Sequence, residues 1–594
     1  MRSLQWPYAA LPATLRDLGL VTMRARRTSH GLTAHLVAGT HTVLIGMDLE
    51  DPTGCLGFAI RRTDHTEGET VWLRGMKTFR SVVDSGRSSA QWSTRWHPIQ
   101  AFQWGDYTAK PGHSYTYSVS ALVGTPQDPE LGATVTVNVR TEVEDDGVHG
   151  VWFNRGVAGS QAFRRSFPDW VPQNPPDEAD PAMVWLSRGL GEALLAFVGE
   201  ALDGDWGLRG AFYEFTWGRA LEAFAAARDR GVDVQLVVHG RDRDSATSTE
   251  DNDRTADLAR EAVQRHGIPD LVTWREAPNK SALQHNKFLV LTHKGQPVAV
   301  WTGSTNITLG AIYGHSNVGH LVRSREVAAQ FDRYWRNLKD GLPTPALRAV
   351  HENEPPVAAT VPAPPGATFV PSPRQGLAAL QWYAALFDSA TASAHITGAF
   401  GLNRAFLDRL SAVRAPITRT VLLEKLPPRE RAVPRTDSHV RISTGSHLAG
   451  GPLGQWAAER LTGFNSHVQY IHTKIVLVDP LSEHPTVITG SANYSDASTV
   501  SNEENTLVLR RGRTRATSRR AVLRVADIYL TEYHRLFMHF PFRALAQSRE
   551  VNTGQHRVDL HLEETDSWAR RYYEAGSWRA AQRALFSGGL ASQG

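Results

Sequence analysis

Two short stretches of this chain carry the same reactive side chains in the same order. His285-Asn286-Lys287 is followed by Gly303-Ser304-Thr305-Asn306, and His472-Thr473-Lys474 by Gly490-Ser491-Ala492-Asn493. The interval from histidine to serine is 19 residues in both, and the two sets lie 187 positions apart. Each set gathers an imidazole, an ammonium, a hydroxyl and a carboxamide, a kit suited to a phosphodiester. Imidazole can attack phosphorus or protonate a leaving oxygen near neutral pH. Lysine and asparagine can donate hydrogen bonds to the non-bridging oxygens as charge redistributes. His285, His472, Lys287 and Lys474 are therefore candidate catalytic residues, and Ser304, Asn306, Ser491 and Asn493 candidate phosphate contacts. With 24 histidines in 594 residues and lysine scarce, chance supplies about a third of one His-x-Lys. Two occur, each with the same sequel.

The elements that position these groups can be read outward from them. Apolar residues follow each lysine (Phe288–Leu291 and Ile475–Val478), which marks a buried strand. Residues i and i+2 of a strand share a side, so histidine and lysine project together. A turn at Lys294-Gly295-Gln296-Pro297 returns the chain through Val298–Trp301, and Thr486–Thr489 does the same in the second set. Upstream, Leu208–Phe215 reads as a strand, Arg219–Arg230 as a helix stopped by Gly231, and Val232–Val238 as a buried strand. The second half repeats this with Ile396–Phe400, a helix over Arg404–Val413 capped by Asn403, and Thr420–Leu423. Gly210-Ala211-Phe212 recurs as Gly398-Ala399-Phe400, an offset of 188. Two α/β lobes related by internal duplication follow from this.

The length of 594 residues exceeds one hydrophobic core. Residues 1–148 show short alternating runs, such as Thr42–Met47, Tyr115–Val123 and Thr134–Val139, broken by turn clusters. They predict an accessory β-sandwich of immunoglobulin or fibronectin kind, with a protein partner to dock. The first lobe is placed at 149–350, a linker with seven prolines at 351–374, the second lobe at 375–550, and a tail packing on the body at 551–594. An apolar fraction of 41% and a charged fraction of 21% are those of a globular protein. The net charge of +4 is weak evidence for a polyanionic partner. Cys55 is the single cysteine, which rules out an intrachain disulfide and a cysteine zinc site. Met1–Met23 lacks an apolar signal core, and no run approaches the ~20 apolar residues of a membrane span. A soluble, cytoplasmic protein is expected.

The two halves resemble the phospholipase D superfamily, whose signature is H-x-K-x4-D followed by G-S-x-N. The second lobe carries the whole pattern in His472, Lys474, Asp479, Gly490, Ser491 and Asn493. Its Ser501-Asn502-Glu503-Glu504-Asn505 is similar to the family's downstream acidic segment, with Glu504 matching the carboxylate that orients an active-site imidazole. The first lobe departs twice: Thr292 stands where the family has Asp, and Ser316-Asn317 where the second lobe has Glu504-Asn505. The resemblance implies a two-step displacement through a phosphohistidine, with His285 as nucleophile and His472 as acid and base. It implies neither metal nor cofactor.

Nucleic acid is the expected substrate, favoured by the soluble character and by Arg510, Arg511, Arg513, Arg515, Arg519, Arg520 and Arg524. That strip reads somewhat more readily as a loop and the solvated face of a helix running to Phe537. A membrane lipid is the alternative substrate, and a catalytically silent phosphate-binding module the third reading. His239, Arg241 and Lys425 follow strands and are second-tier substrate contacts. Oligomeric state is not legible.

Overall fold

The protein is described here by a computed structural model covering residues 23–75, 77–84, 93–156, 163, 166–171, 173, 176–241, 254–276, 282–353, 357–412, 417–425, 439–445, 471–539 and 561–589. The expectations for most of Met1–Met23, for Pro355 and Pro356, for Val413 and for 551–560 lie outside these residues. The chain divides into two compact units. One is Met1–Val143 with Asp559–Glu574 and Arg583–Ser592. The other is Glu144–Val558 with Ala575–Gln582 and Gln593–Gly594.

The first unit contains strands β1 (Arg24–Ser29), β2 (Leu32–Ala38), β3 (Val43–Leu49), β4 (Gly57–Asp64), β5 (Glu69–Trp72), β6 (Thr78–Phe79), β7 (Gln103–Asp106), β8 (Ser114–Thr125) and β9 (Asp128–Arg140). Eight of them form two four-stranded sheets, ordered β1-β2-β3-β7 and β5-β4-β8-β9, while β6 pairs in parallel with the short strand His561–Leu562. Alternation shows in β8, where Tyr115, Tyr117 and Val119 are buried and Thr116 and Ser118 are less so. Residues of both sheets share one core with Trp568 and Tyr572 from the end of the chain. Trp568 stacks on Phe102 with ring centroids 5.4 Å apart.

The second unit is built on two seven-stranded sheets. The first holds β10 (His149–Phe153), β11 (Trp206–Phe212), β12 (Asp233–His239), β13 (Val272–Arg275), β14 (Lys287–His293), β15 (Gln296–Gly303) and β16 (Val318–Val322), in the order β10-β16-β15-β14-β11-β12-β13. The other holds β17 (Gly366–Pro371), β18 (Ser393–Gly398), β19 (Thr418–Leu423), β20 (Val440–Thr444), β21 (Ile475–Val478), β22 (Thr486–Gly490) and β23 (Asn505–Arg510), in the order β17-β23-β22-β21-β18-β19-β20. The connectivity is the same in both. Their central strands are buried on both faces, which is why they read as continuous apolar runs. Asn403 caps its helix by accepting the Ala405 N–H at 2.8 Å.

Three expectations need correction. The proline-rich stretch 351–374 is not a linker throughout: Gly366–Pro371 is an edge strand paired with β23. Proline is tolerated there because an edge position does not need every N–H. The recurring Gly-Ala-Phe triplets do not occupy equivalent rungs. Gly210 pairs with Leu289, whereas the residue opposite Val476, 187 positions later, is Ile396. Phe212 therefore corresponds to Gly398. A slip of two residues keeps every side chain on its face, so the pattern alone could not reveal it. Finally, isolated bridges join Gln284 to Glu503 and Ser316 to Ile471. These pair at one offset of 187, so Glu504 corresponds to Asn317 rather than to Ser316.

The helix Arg519–His539 is largely buried rather than solvated. Its Tyr529 hydroxyl meets His320 of β16 at 3.0 Å and Thr489 of β22 at 3.2 Å, so it touches both sheets.

Candidate active site

Both His-x-Lys motifs sit where β14 and β21 begin, at the end of each sheet where bridges cross to the other lobe. Each lysine bonds back to its own motif: Lys287 Nζ donates to the His285 carbonyl at 2.7 Å and Lys474 Nζ to the His472 carbonyl at 2.6 Å. All four side chains are buried.

The partners of the imidazoles come from the opposite lobes. His285 Nδ1 lies 2.9 Å from Glu504 Oε2, and His472 Nδ1 lies 2.9 Å from Asn317 Oδ1. The backbone is tied the same way, with the His285 N–H donating to the Glu503 carbonyl at 2.9 Å. Asn317 Nδ2 donates to the Ala311 carbonyl at 2.9 Å, which turns its Oδ1 toward His472 as an acceptor. His472 thus carries its proton on Nδ1 when neutral, and an ionised Glu504 fixes the same tautomer in His285. Both Nε2 atoms are left for chemistry.

Electrostatics bind these groups into one site. Burial pulls His285 down to about 4, against the pull of Glu504, and Lys287 and Lys474 lower it further. Burial holds His472 well below the usual imidazole range, helped by Lys474, His315, Lys287 and His285. Lys287 is drawn down to about 7 by burial, opposed by Glu504 and Glu214. Lys474 falls well below its ordinary value through burial and Lys287. Burial would raise Glu504, yet His285 and Lys287 outweigh it and keep the carboxylate ionised. The resting site is neutral at both imidazoles.

The serines were expected to touch phosphate, but Ser304 engages the residue that holds His472 and Ser491 engages Asn505. Ser304 Oγ donates to Asn317 Oδ1 at 2.8 Å and accepts the Val318 N–H at 3.1 Å. Ser491 Oγ accepts the Asn505 N–H at 3.0 Å. Both residues are fully buried. A hydroxyl spent on the acceptor that holds His472 serves to position that imidazole. Asn306 gives its Nδ2 to Glu214. The Oδ1 atoms of Asn306 and Asn493 have no hydrogen-bond partner among the described residues.

Several residues here escaped the sequence reading. Tyr213 places its ring 4.9 Å from that of His285 and 5.3 Å from Lys287 Nζ. The His315 ring lies 4.5 Å from that of His472. Asn505 Nδ2 donates to Asn286 Oδ1 across the lobes at 2.9 Å. Arg275 and Glu503 form a buried inter-lobe ion pair at 2.6 Å. His239, read from the sequence as a second-tier substrate contact, accepts the Gln284 N–H on Nδ1 at 3.3 Å, and Glu424, which that reading missed, takes the matching Ile471 N–H at 2.7 Å. Both support the strands that present the motifs, and no spacing rule links them. Arg241 is half-buried and Lys425 exposed.

Asp479 and Thr292 both lie at the far ends of their strands from the lysines. Asp479 accepts the N–H groups of Thr391, Ala392 and Ser393 at 2.7–2.9 Å, a structural task. The arginine strip also belongs to that end, since β23 leads from Glu504 away to Arg510. Arg524 is buried and donates to the His149 carbonyl at 2.9 Å, while Arg511, Arg513, Arg515, Arg519 and Arg520 are exposed. Among the described residues no group of three His, Cys, Asp or Glu is arranged to hold a metal ion.

Residues 208–339 match the family described as cardiolipin synthase, PLD-like domain. No curated protein matches the chain. Similar solved structures include the phospholipase D family member Nuc from Salmonella typhimurium, at 24% identity over 25% of this chain and 87% of that one, with a TM-score of 0.20. Phosphatidylserine synthase of Haemophilus influenzae matches at 10% identity over 60% of this chain and 85% of that one, TM-score 0.39. Yeast tyrosyl-DNA phosphodiesterase matches at 13% identity over 55% of this chain and 86% of that one, TM-score 0.31. The paired His-x-Lys motifs are held by acceptors from opposite lobes, and residues 208–339, which carry the first motif, match a PLD-like domain.

Proposed function

We propose that this protein cleaves phosphodiesters through a phosphohistidine on His285, with nucleic acid as its substrate. The observation that carries the reading is the unequal support of the two imidazoles: an ionised carboxylate behind His285, a neutral carboxamide behind His472. A carboxylate stabilises the positive charge an imidazole gains as its other nitrogen bonds to phosphorus. A carboxamide fixes geometry without charge, which suits a group that must alternate between acid and base.

In the first step His285 Nε2 attacks phosphorus, the P–O bond to the leaving group breaks, and His472 Nε2–H protonates that oxygen. In the second, His472 removes a proton from water, the new O–P bond forms, and the N–P bond breaks. The resting His472 is neutral, so its acid proton enters with the anionic substrate, whose charge offsets Lys474 and Lys287. The lysine ammoniums hold the non-bridging oxygens. The two lobes are best understood as products of internal duplication, since strand order and motif spacing repeat together.

Exposed Arg511, Arg513, Arg515 and Arg520 favour a polyanion, although they lie at the end of the sheet away from the motifs. The discriminating experiment incubates the protein with labelled single- and double-stranded DNA, RNA and phosphatidylcholine in excess EDTA, with His472→Ala as control. Cleavage of nucleic acid that vanishes in the control supports the reading. Release of choline alone would replace it with a lipid phosphodiesterase.

A further inference from the structure

The lobes part company one step beyond their matching central strands. Because Phe212 corresponds to Gly398 in strand register, Glu214 of the first lobe occupies the position of Phe400 in the second. Phe400 is 61% exposed and carries no charge. Glu214 is half-buried and built into the site.

Its backbone is stitched to the first Gly-Ser-x-Asn loop. The Ile307 N–H donates to the Glu214 carbonyl at 3.1 Å, Phe215 bridges Ile307, and the N–H groups of Thr216 and Trp217 return to the Ile307 carbonyl at 2.8 and 2.9 Å. The carboxylate accepts from Asn306 Nδ2. It also acts on both Lys287 and Lys474, favouring the charged form of each. A second carboxylate in a pocket for an anion calls for an explanation, because it repels the ligand the lysines attract.

Charge matching supplies one. The carboxylates of Glu504 and Glu214 both oppose the positive charge that Lys287 and Lys474 present. The positive charge left for a substrate is small, which suits the one negative charge of a phosphodiester. A phosphomonoester, which loses its second proton at about pH 6, would leave a negative charge uncompensated in a buried site.

We infer that Glu214 is a specificity-determining residue that tunes the site to the single negative charge of a phosphodiester and disfavours dianionic phosphomonoesters. The inference rests on the phosphodiesterase reading above. No carboxylate stands at the matching Phe400.

The test compares dimethyl phosphate, a monoanion, with methyl phosphate, a dianion at pH 8, by 31P NMR titration of the full chain. Glu214→Gln should shift the ratio of the two dissociation constants toward methyl phosphate by about tenfold. Glu214→Asp, which keeps the charge, should retain the wild-type ratio. An unchanged ratio in Glu214→Gln overturns the inference. So does an equal shift in Glu214→Asp, which would trace the effect to shape. If the ratio stays fixed while wild-type protein still turns over diesters, only this inference falls. If neither ligand binds the wild type and no diester is cleaved, the phosphodiesterase reading falls with it.

Discussion

Glu504 lies 2.9 Å from Nδ1 of His285, although 219 positions of chain and a change of sheet separate them. The reciprocal contact, Asn317 to His472, makes each lobe incomplete without the other. Removing the charge of Glu504 while keeping its shape tests what the carboxylate contributes. Glu504→Gln should lower kcat by about 10³–10⁴, the size of effect known when an orienting carboxylate becomes an amide. Substrate affinity should change far less. A loss confined to KM would show that Glu504 serves binding instead.

Asn317→Asp should place a carboxylate on His472 and raise its pKa by about 1–3 units. The base form needed for the second step then appears only at higher pH. The acidic limb of the pH–rate profile should move upward by a similar amount, and phosphoenzyme should accumulate at neutral pH. An unmoved limb would mean that His472 is not the base.

The two histidines are separable with an activated diester such as a p-nitrophenyl phosphodiester. His285→Ala should abolish the covalent adduct and all turnover. His472→Ala should still phosphorylate His285, since that leaving group needs no acid, and then stall. Intact-protein mass spectrometry followed by acid-avoiding proteolysis reads the result. An adduct on the His472 peptide in the His285→Ala protein would exchange the roles.

Arg275 and Glu503 are a buried pair spanning the lobes, next in sequence to Glu504. Arg275→Met should destabilise the second unit by about 3–5 kcal/mol, because it strands a buried charge. Adding Glu503→Gln should recover part of that loss in denaturant unfolding. If the double variant is no more stable than the single one, the charge is not the cause.

Burial also drives His534 down to about 3, below its ordinary value of 6.5. Its folded form stays neutral while the unfolded chain takes up a proton below pH 6.5. The stability it contributes is therefore present above that pH and lost progressively as pH falls toward 3. Between pH 7.5 and 5.5 the loss should be on the order of 1 kcal/mol for this residue. His534→Phe should reduce the pH dependence of unfolding of the second unit by that amount. An identical pH dependence in the variant would refute the assignment.

How far the sequence reaches is clearest at the motifs. His285, Lys287, His472 and Lys474 could be found, and their strands placed, because local alternation and composition encode them. Asn403 announced its helix for the same reason: a cap acts on a neighbour two residues away. Glu504 was singled out by spacing, but not that it serves the histidine of the other lobe. Only the meeting of the sheets determines that, since hydrogen bonds between lobes leave no periodic trace. The same holds for Glu214, Tyr213 and Asn505, whose partners are distant in sequence. Ser304 and Ser491 show the reverse limit. Their presence beside the motif was legible, whereas the direction of their hydroxyls was settled by packing, which put an acceptor or an amide within reach. The slip of two between the Gly-Ala-Phe triplets was invisible because a strand repeats every two residues, so only the rungs paired in the folded sheet could fix the register.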